Sequence, residues 1–194
     1  MKYKVMIVED QTMPRELFEL RVQASERFEL ALSIDNAALA DVYCLRFPVD
    51  LILMDVITRD GENGLDAAAR IKRAFPQIKI IIVTSMPECS YLKRAKEIGV
   101  ESFWYKEEQR ESLLDVMERT MNGESVYPGA SPELTLGMAS SYQFTERELD
   151  ILREITSGDT NQEIADRLNM SVATVKTHIL NMLEKTGFRN RTEL

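Results

Sequence analysis

The sequence predicts an α/β protein: a doubly wound, five-stranded parallel sheet, followed by a small all-α helix-turn-helix unit. Three observations carry this. Five short apolar runs alternate with five helical patterns between residues 3 and 121. The runs are near-continuously apolar, as at residues 51–54 and 78–83, which is the pattern of strands covered on both faces. Residues 144–190, beyond a stretch rich in glycine, proline and serine, then read as two short helices, a tight turn and a longer helix.

The elements follow in order. Tyr3–Val8 is the first strand and ends in Glu9-Asp10. A helix begins at Gln11-Thr12-Met13-Pro14, with Thr12 as its cap and Pro14 in its first turn; Leu17, Phe18, Leu20 and Val22 form its stripe. Phe28–Ile34 is the second strand. Residues 36–46 form a helix with Ala37, Leu39, Ala40 and Tyr43 at helical spacing, stopped by Pro48. The third strand, residues 49–55, ends in the carboxylate of Asp55, and a polar loop runs to Gly64. A helix at 65–75 ends at Pro76, and the fourth strand, 78–83, leads to Thr84. The helix at 88–98 turns inward Leu92, Ala95 and Ile98 and is capped by Gly99. The fifth strand, 100–105, leads to Lys106, and the helix at 112–121, with Leu113, Leu114 and Met117 inward, closes the unit.

The expected domains are therefore 1–121, a linker at 122–143 with a helical turn near 133–138, and a helical unit at 144–194. In the last, Thr145 to Glu148 and Thr160 to Glu163 are capping boxes, Ser171 caps the third helix, and Val175, Ile179, Met182 and Leu183 are that helix's buried stripe.

Composition narrows the function classes. No apolar run approaches the roughly 20 residues of a membrane span, and the N-terminus reads as a strand, not a signal peptide. Cys44 and Cys89 stand apart, with no paired spacing and no histidine cluster; they read as packing residues in a reducing, cytoplasmic setting. The formal net charge is −8, so any nucleic-acid surface must be local. Lys176, Lys185, Arg189 and Arg191 against Glu184 and Glu193 provide such a patch.

The polar residues at strand ends carry the chemistry. In a doubly wound sheet the first and third strands are neighbours at the switch point, which brings Glu9, Asp10 and Asp55 together. Clustered acids need a cation, and a hard divalent ion on oxygen ligands, Mg²⁺ above all, answers that need. A carboxylate beside such an ion, with a hydroxyl (Thr84) and an ammonium (Lys106) near, is equipped to accept a phosphoryl group.

The order Glu9-Asp10, Asp55, Thr84, Lys106 on successive strands resembles the receiver domain of two-component response regulators, a flavodoxin-like fold. The resemblance implies Asp55 as phosphoacceptor. It also implies Asp10, Asp55 and the Ile57 carbonyl as Mg²⁺ ligands with Glu9 acting through water, Thr84 and Lys106 on the phosphoryl oxygens, and Phe103 as the aromatic switch. The chain departs from the pattern in two places. Thr58-Arg59 replace Met-Pro after Asp55, with Gly64 one residue late, and Lys106 is followed by Glu107, not proline. The stretches TERELDIL, NQEIADRL and SVATVKTHILNMLEKTG resemble the LuxR-type output domain, so the whole is similar to the NarL/FixJ class.

For that unit the third helix presents Ala173, Thr174, Lys176, Thr177, Leu180 and Asn181 opposite its stripe. Lys176 is the first candidate for a contact to double-stranded DNA, then Thr174 and Thr177. Asn161, and Lys185 with Arg189, are candidate phosphate contacts, and His178 either touches a phosphate or is a packed helix residue. The family's fourth helix would begin where the chain reaches Leu194, so a homodimer is expected through the receiver. The expected partners are a histidine kinase and DNA, not a membrane. Two rivals stand beside this reading: a phosphorylation-independent DNA-binding module with a vestigial acidic pocket, and a Mg²⁺-dependent phosphatase, which would need an acid where Ile57 stands.

Overall fold

A computed structural model describes residues 2–59, 63–86, 88–106, 112–129 and 133–194. They divide into two units, residues 1–131 and 132–194.

In the first unit, strands β1 (Tyr3–Val8), β2 (Phe28–Ile34), β3 (Leu51–Met54), β4 (Lys79–Thr84) and β5 (Ser102–Tyr105) form a parallel sheet in the order β2-β1-β3-β4-β5. Side chains alternate between its faces. Met6, Val8, Ile52, Met54, Ile80, Ile82, Phe103 and Tyr105 pack under α2 (Ala40–Arg46), α3 (Gly64–Ala74) and α4 (Cys89–Ile98). Val5, Ile7, Leu51, Leu53, Ile81, Val83 and Trp104 pack under α1 (Thr12–Gln23) and α5 (Leu113–Met121). Helices cover both faces, which is why the strands read as continuous apolar runs. Crossing the sheet at β1 places the first two connections on opposite faces and opens a crevice beyond the ends of β1 and β3.

Several helix faces differ from expectation. In α1 the buried pair is Phe18 and Val22, one turn apart, while Leu17 (47% exposed) and Leu20 (64%) lie off that line. Thr12 is the first helical residue and Gln11 the cap, without a side-chain bond. Residues 36–46 are a 3-10 turn, capped by Asn36, then α2, and Leu39 is exposed. Gly99 closes α4 at φ 84°, as expected of a left-handed C-cap. Cys44 is buried, and burial together with Asp41 pushes its thiol up to about 11; the Cys89 side chain lies outside the described residues.

Residues 122–143 do not form one continuous linker. Val126 and Tyr127 pack on the first unit, where the Phe103 N–H donates to the Val126 carbonyl (2.8 Å) and the Tyr127 hydroxyl to the Val100 carbonyl (2.8 Å). Residues 133–138 are not helical: β6 (Thr135–Leu136) and β7 (Ala139–Ser140) form a hairpin whose turn holds Gly137 at φ 58°. Its Leu136 and Ala139 pack into the core of the second unit. Burial of those two side chains outweighs the helical preference of a six-residue segment.

That second unit contains α6 (Glu146–Thr156), α7 (Asn161–Arg167) and α8 (Val172–Thr186). Both capping boxes and the Ser171 cap form. Asn169, at φ 51°, makes the tight turn before α8, and Ile151, Ile164, Ala165, Val175, Ile179 and Met182 form the core.

Candidate functional site

Val8 pairs with Met54, so the residues that follow β1 and β3 emerge side by side. The Asp55 N–H continues the ladder to the Val8 carbonyl (2.9 Å). Glu9, Asp10 and Asp55 each offer one carboxylate oxygen, all within 4.8 Å of one another. Lys106, just past β5, reaches across: its Nζ lies 2.6 Å from Glu9 Oε2 and 2.8 Å from Asp55 Oδ2. The second oxygen of each acid takes a backbone donor, Val56 N–H to Asp55 Oδ1 (2.7 Å) and Gln11 N–H to Glu9 Oε1 (3.1 Å).

Glu9 and Asp55 are almost fully buried. Burial pushes both carboxyls above their ordinary range; the neighbouring acids add to this, and the Lys106 ammonium opposes it. For Lys106 burial works downward, but Asp55 and Glu9 outweigh it and hold the ammonium above its ordinary value. Among the described residues the ion pairs to these three acids come from the Lys106 ammonium, so the carboxylates outnumber it. The donors are all oxygen, the set a hard divalent cation takes. Ile57 faces Asn63 in an antiparallel bridge flanked by a bond from Gly64 N–H to the Val56 carbonyl (2.8 Å). In that register the facing pair exchanges no bonds, so the Ile57 carbonyl stays outside the ladder.

Thr84 ends β4, fully buried, and its Oγ1 accepts the Met86 N–H (3.1 Å). Its carbonyl accepts the Lys106 N–H (3.0 Å), which ties the two residues to one edge of the crevice. Phe103 is buried, with ring centroids 5.0 Å from Tyr105 and 6.3 Å from Tyr127. The lengthened loop after Asp55 is anchored at its start. Thr58 Oγ1 accepts the Ala37 N–H (3.0 Å), and Arg59 pairs with Asp35 (2.8 Å). Asp60, Gly61 and Glu62 lie outside the described residues, as does Glu107.

In the second unit, Lys176, Thr174 and Thr177 are exposed on α8 and His178 is half-buried. Lys185 is engaged within the unit: its ammonium donates to Glu148 Oε2 (2.6 Å) and to the Gln143 carbonyl (2.9 Å), 5.8 Å above the Phe144 ring, which makes it a strut between α6 and α8. Asn161 Oδ1 accepts from Arg191 (2.9 Å), which also donates to the Asp159 carbonyl. Sequence reasoning missed Arg191 and Glu148 as partners because both contacts join residues about 30 or more positions apart. The one available signal was the acid placed three residues after Thr145.

A doubly wound sheet with this acid–lysine crevice, joined to a helix-turn-helix, defines a regulator with separate input and output units. The model of the response regulator receiver domain matches residues 5–118, and that of bacterial regulatory proteins of the luxR family matches residues 142–194. The chain belongs to the response regulators that join a receiver domain to a LuxR-type DNA-binding domain. It is similar to the response regulator protein VraR of Staphylococcus epidermidis, 34% identical over all of this chain and 94% of that one. Against VraR of Staphylococcus aureus it is 33% identical with the same coverage. Among solved structures, the response regulator RcsB in complex with DNA matches at 17% identity and TM-score 0.61, covering 100% of this chain and 96% of that one, a likeness of fold. Among the described residues no helix is long and apolar enough to cross a membrane.

Proposed function

We propose that this regulator is switched by transfer of a phosphoryl group from a histidine kinase to Asp55, and that the switched form binds double-stranded DNA through α8. The observation that carries the reading is the convergence of Glu9, Asp10, Asp55 and Lys106 beyond the ends of β1, β3 and β5.

An Asp55 carboxylate oxygen attacks phosphorus, the bond to the donor's imidazole nitrogen breaks, and the imidazole leaves with that electron pair. Asp10, Asp55 and the Ile57 carbonyl would hold Mg²⁺, with Glu9 acting through water; the ion would offset charge on the transferring oxygens. Lys106 then exchanges a carboxylate partner for a phosphoryl oxygen, and the Thr84 hydroxyl leaves Met86 to donate to another. These shifts favour one of two receiver conformations. Phe103 moves with Thr84, and receivers pair as a homodimer. The acyl phosphate is lost slowly by hydrolysis, so the chain is not a turnover enzyme on small molecules.

In the second unit Lys176 faces base edges, with Thr174 and Thr177 beside it; Asn161 and His178 approach phosphates. A structure of RcsB is described as two dimers bound to two parallel DNAs, and by likeness a dimer of this chain would read two half-sites about one helical turn apart. The boundary between input and output falls within 122–143. The setting is the cytoplasm, where kinase and DNA meet.

Incubation with Mg²⁺ and a small phosphodonor should add one phosphoryl group to the mass, and Asp55→Asn should abolish it. A modification that persists in Asp55→Asn refutes the site. A second reading draws on the Lys106 clamp, which bridges Glu9 and Asp55 and offsets part of their charge: a vestigial pocket on a constitutive DNA-binding protein. Equal DNA affinity with and without phosphodonor would establish that reading instead.

A further inference from the structure

On α8 the buried line is Val175, Ile179, Met182 and Thr186. Leu180 lies on the far side, 65% exposed, among Ala173, Lys176, Thr177 and Glu184. A single exposed leucine is unremarkable on an ordinary surface. Here it stands at the centre of the face that a helix-turn-helix presents to the major groove, where its neighbours are small, hydroxylic or charged. Leucine cannot hydrogen-bond a base edge. The major groove offers one apolar group to such a side chain, the C5-methyl of thymine.

We propose that Leu180 is a specificity residue that packs on a thymine C5-methyl group in each half-site; this rests on the reading of α8 as the DNA-binding helix. Electrostatics set the depth. Lys176 is drawn toward the groove, and Glu184, one turn beyond Leu180, is repelled by phosphates, so the helix enters by its N-terminal half and Leu180 is the last residue to reach the bases. Lys176 is suited to guanine O6 and N7. Four residues of helix rise about 6 Å, and base pairs stack about 3.4 Å apart along a strand. The thymine should therefore lie one or two base pairs from the guanine that Lys176 faces.

The test uses the full chain with Mg²⁺ and phosphodonor, and duplexes selected from random sequence. Each thymine of the selected site is replaced in turn by deoxyuridine, which removes the methyl and keeps the pairing. At one position per half-site, wild-type affinity should fall about fourfold, the worth of one buried methyl-sized group. The same replacement should leave Leu180→Ala unaffected. Leu180→Met should keep the thymine preference, and non-specific affinity should be equal in all three. Because Leu180 is exposed, far-ultraviolet circular dichroism should not change. Wild-type insensitivity to every deoxyuridine overturns the assignment, as does a Leu180→Ala variant that remains sensitive at that position. Failure of the wild type to bind any DNA would instead refute the DNA-binding reading on which the assignment stands.

Discussion

A Cβ placed on Gly64 would stand 1.8 Å from the carbonyl oxygen of Asp55 and 2.9 Å from its carbonyl carbon. Both obstructing atoms are backbone, so no rotamer relieves the clash. Gly64→Ala must open the junction between β3 and α3 and break the bond from Gly64 N–H to the Val56 carbonyl. The expected cost is about 3 kcal/mol, the upper range for overpacking. Trp104, the single tryptophan, is buried in β5, so its fluorescence reports on the receiver alone. Denaturant unfolding followed at Trp104 should shift to lower concentration, and phosphodonor labelling of Asp55 should fall with it. An unchanged midpoint would contradict the close approach.

Lys106→Met removes the ammonium shared by two buried acids. Breaking a buried pair from one side costs about 3–5 kcal/mol. A divalent cation bound by the remaining carboxylates stabilises the folded state by mass action, and it has more charge to neutralise in the variant. Mg²⁺ should therefore raise the receiver's Tm more in Lys106→Met than in wild type, and a chelator should reverse the gain in both. No response to Mg²⁺ in either protein would remove the metal from the proposal.

How much was legible in the sequence varied with the range of the contact. The strand ends that carry Glu9, Asp55, Thr84 and Lys106 could be placed because each strand is a local apolar run and the topology then orders them. The capping boxes at Thr145 and Thr160 were legible for the same reason, since cap and partner lie three residues apart. The burial of Leu17, Leu20 and Leu39 was misjudged because composition shows that a helix has an apolar stripe but not where its centre line falls. The hairpin at 135–140 and the Lys185–Glu148 pair depend on which distant segment arrives to pack, and no local pattern records that.

The segment after α5 offers a test of where the receiver ends. Phe103 N–H and Ser102 Oγ are bonded to Val126, and Tyr127 covers Phe103 with Lys96 above its ring (5.0 Å). A chain ending at residue 121 leaves the Phe103 N–H without that acceptor and exposes apolar surface. It should be less stable than one ending at residue 129 by about 2 kcal/mol, on the scale of one lost bond plus one buried aromatic side chain in part. Equal unfolding midpoints would mean that residues 122–129 contribute nothing to the receiver.

The Lys185–Glu148 strut makes the output unit sensitive to acid. Burial works to raise the Glu148 carboxyl, but bonds from Lys185 and from the Thr145 backbone and hydroxyl outweigh it and hold the group below its ordinary range. An acid whose pKa is lowered on folding adds stability above its unfolded pKa and loses it as pH falls through the folded value. Wild-type protein should therefore show amide exchange in α6 and α8 that accelerates as pH drops below the ordinary glutamate range, after correction for intrinsic rates. Glu148→Gln should be less stable than wild type at neutral pH by about 1–2 kcal/mol, the worth of a helix cap. The difference should close as the medium is acidified, because the variant has no carboxylate to protonate. A gap that stays constant with pH would show that the charge on Glu148, and with it the ion pair to Lys185, does not stabilise the unit.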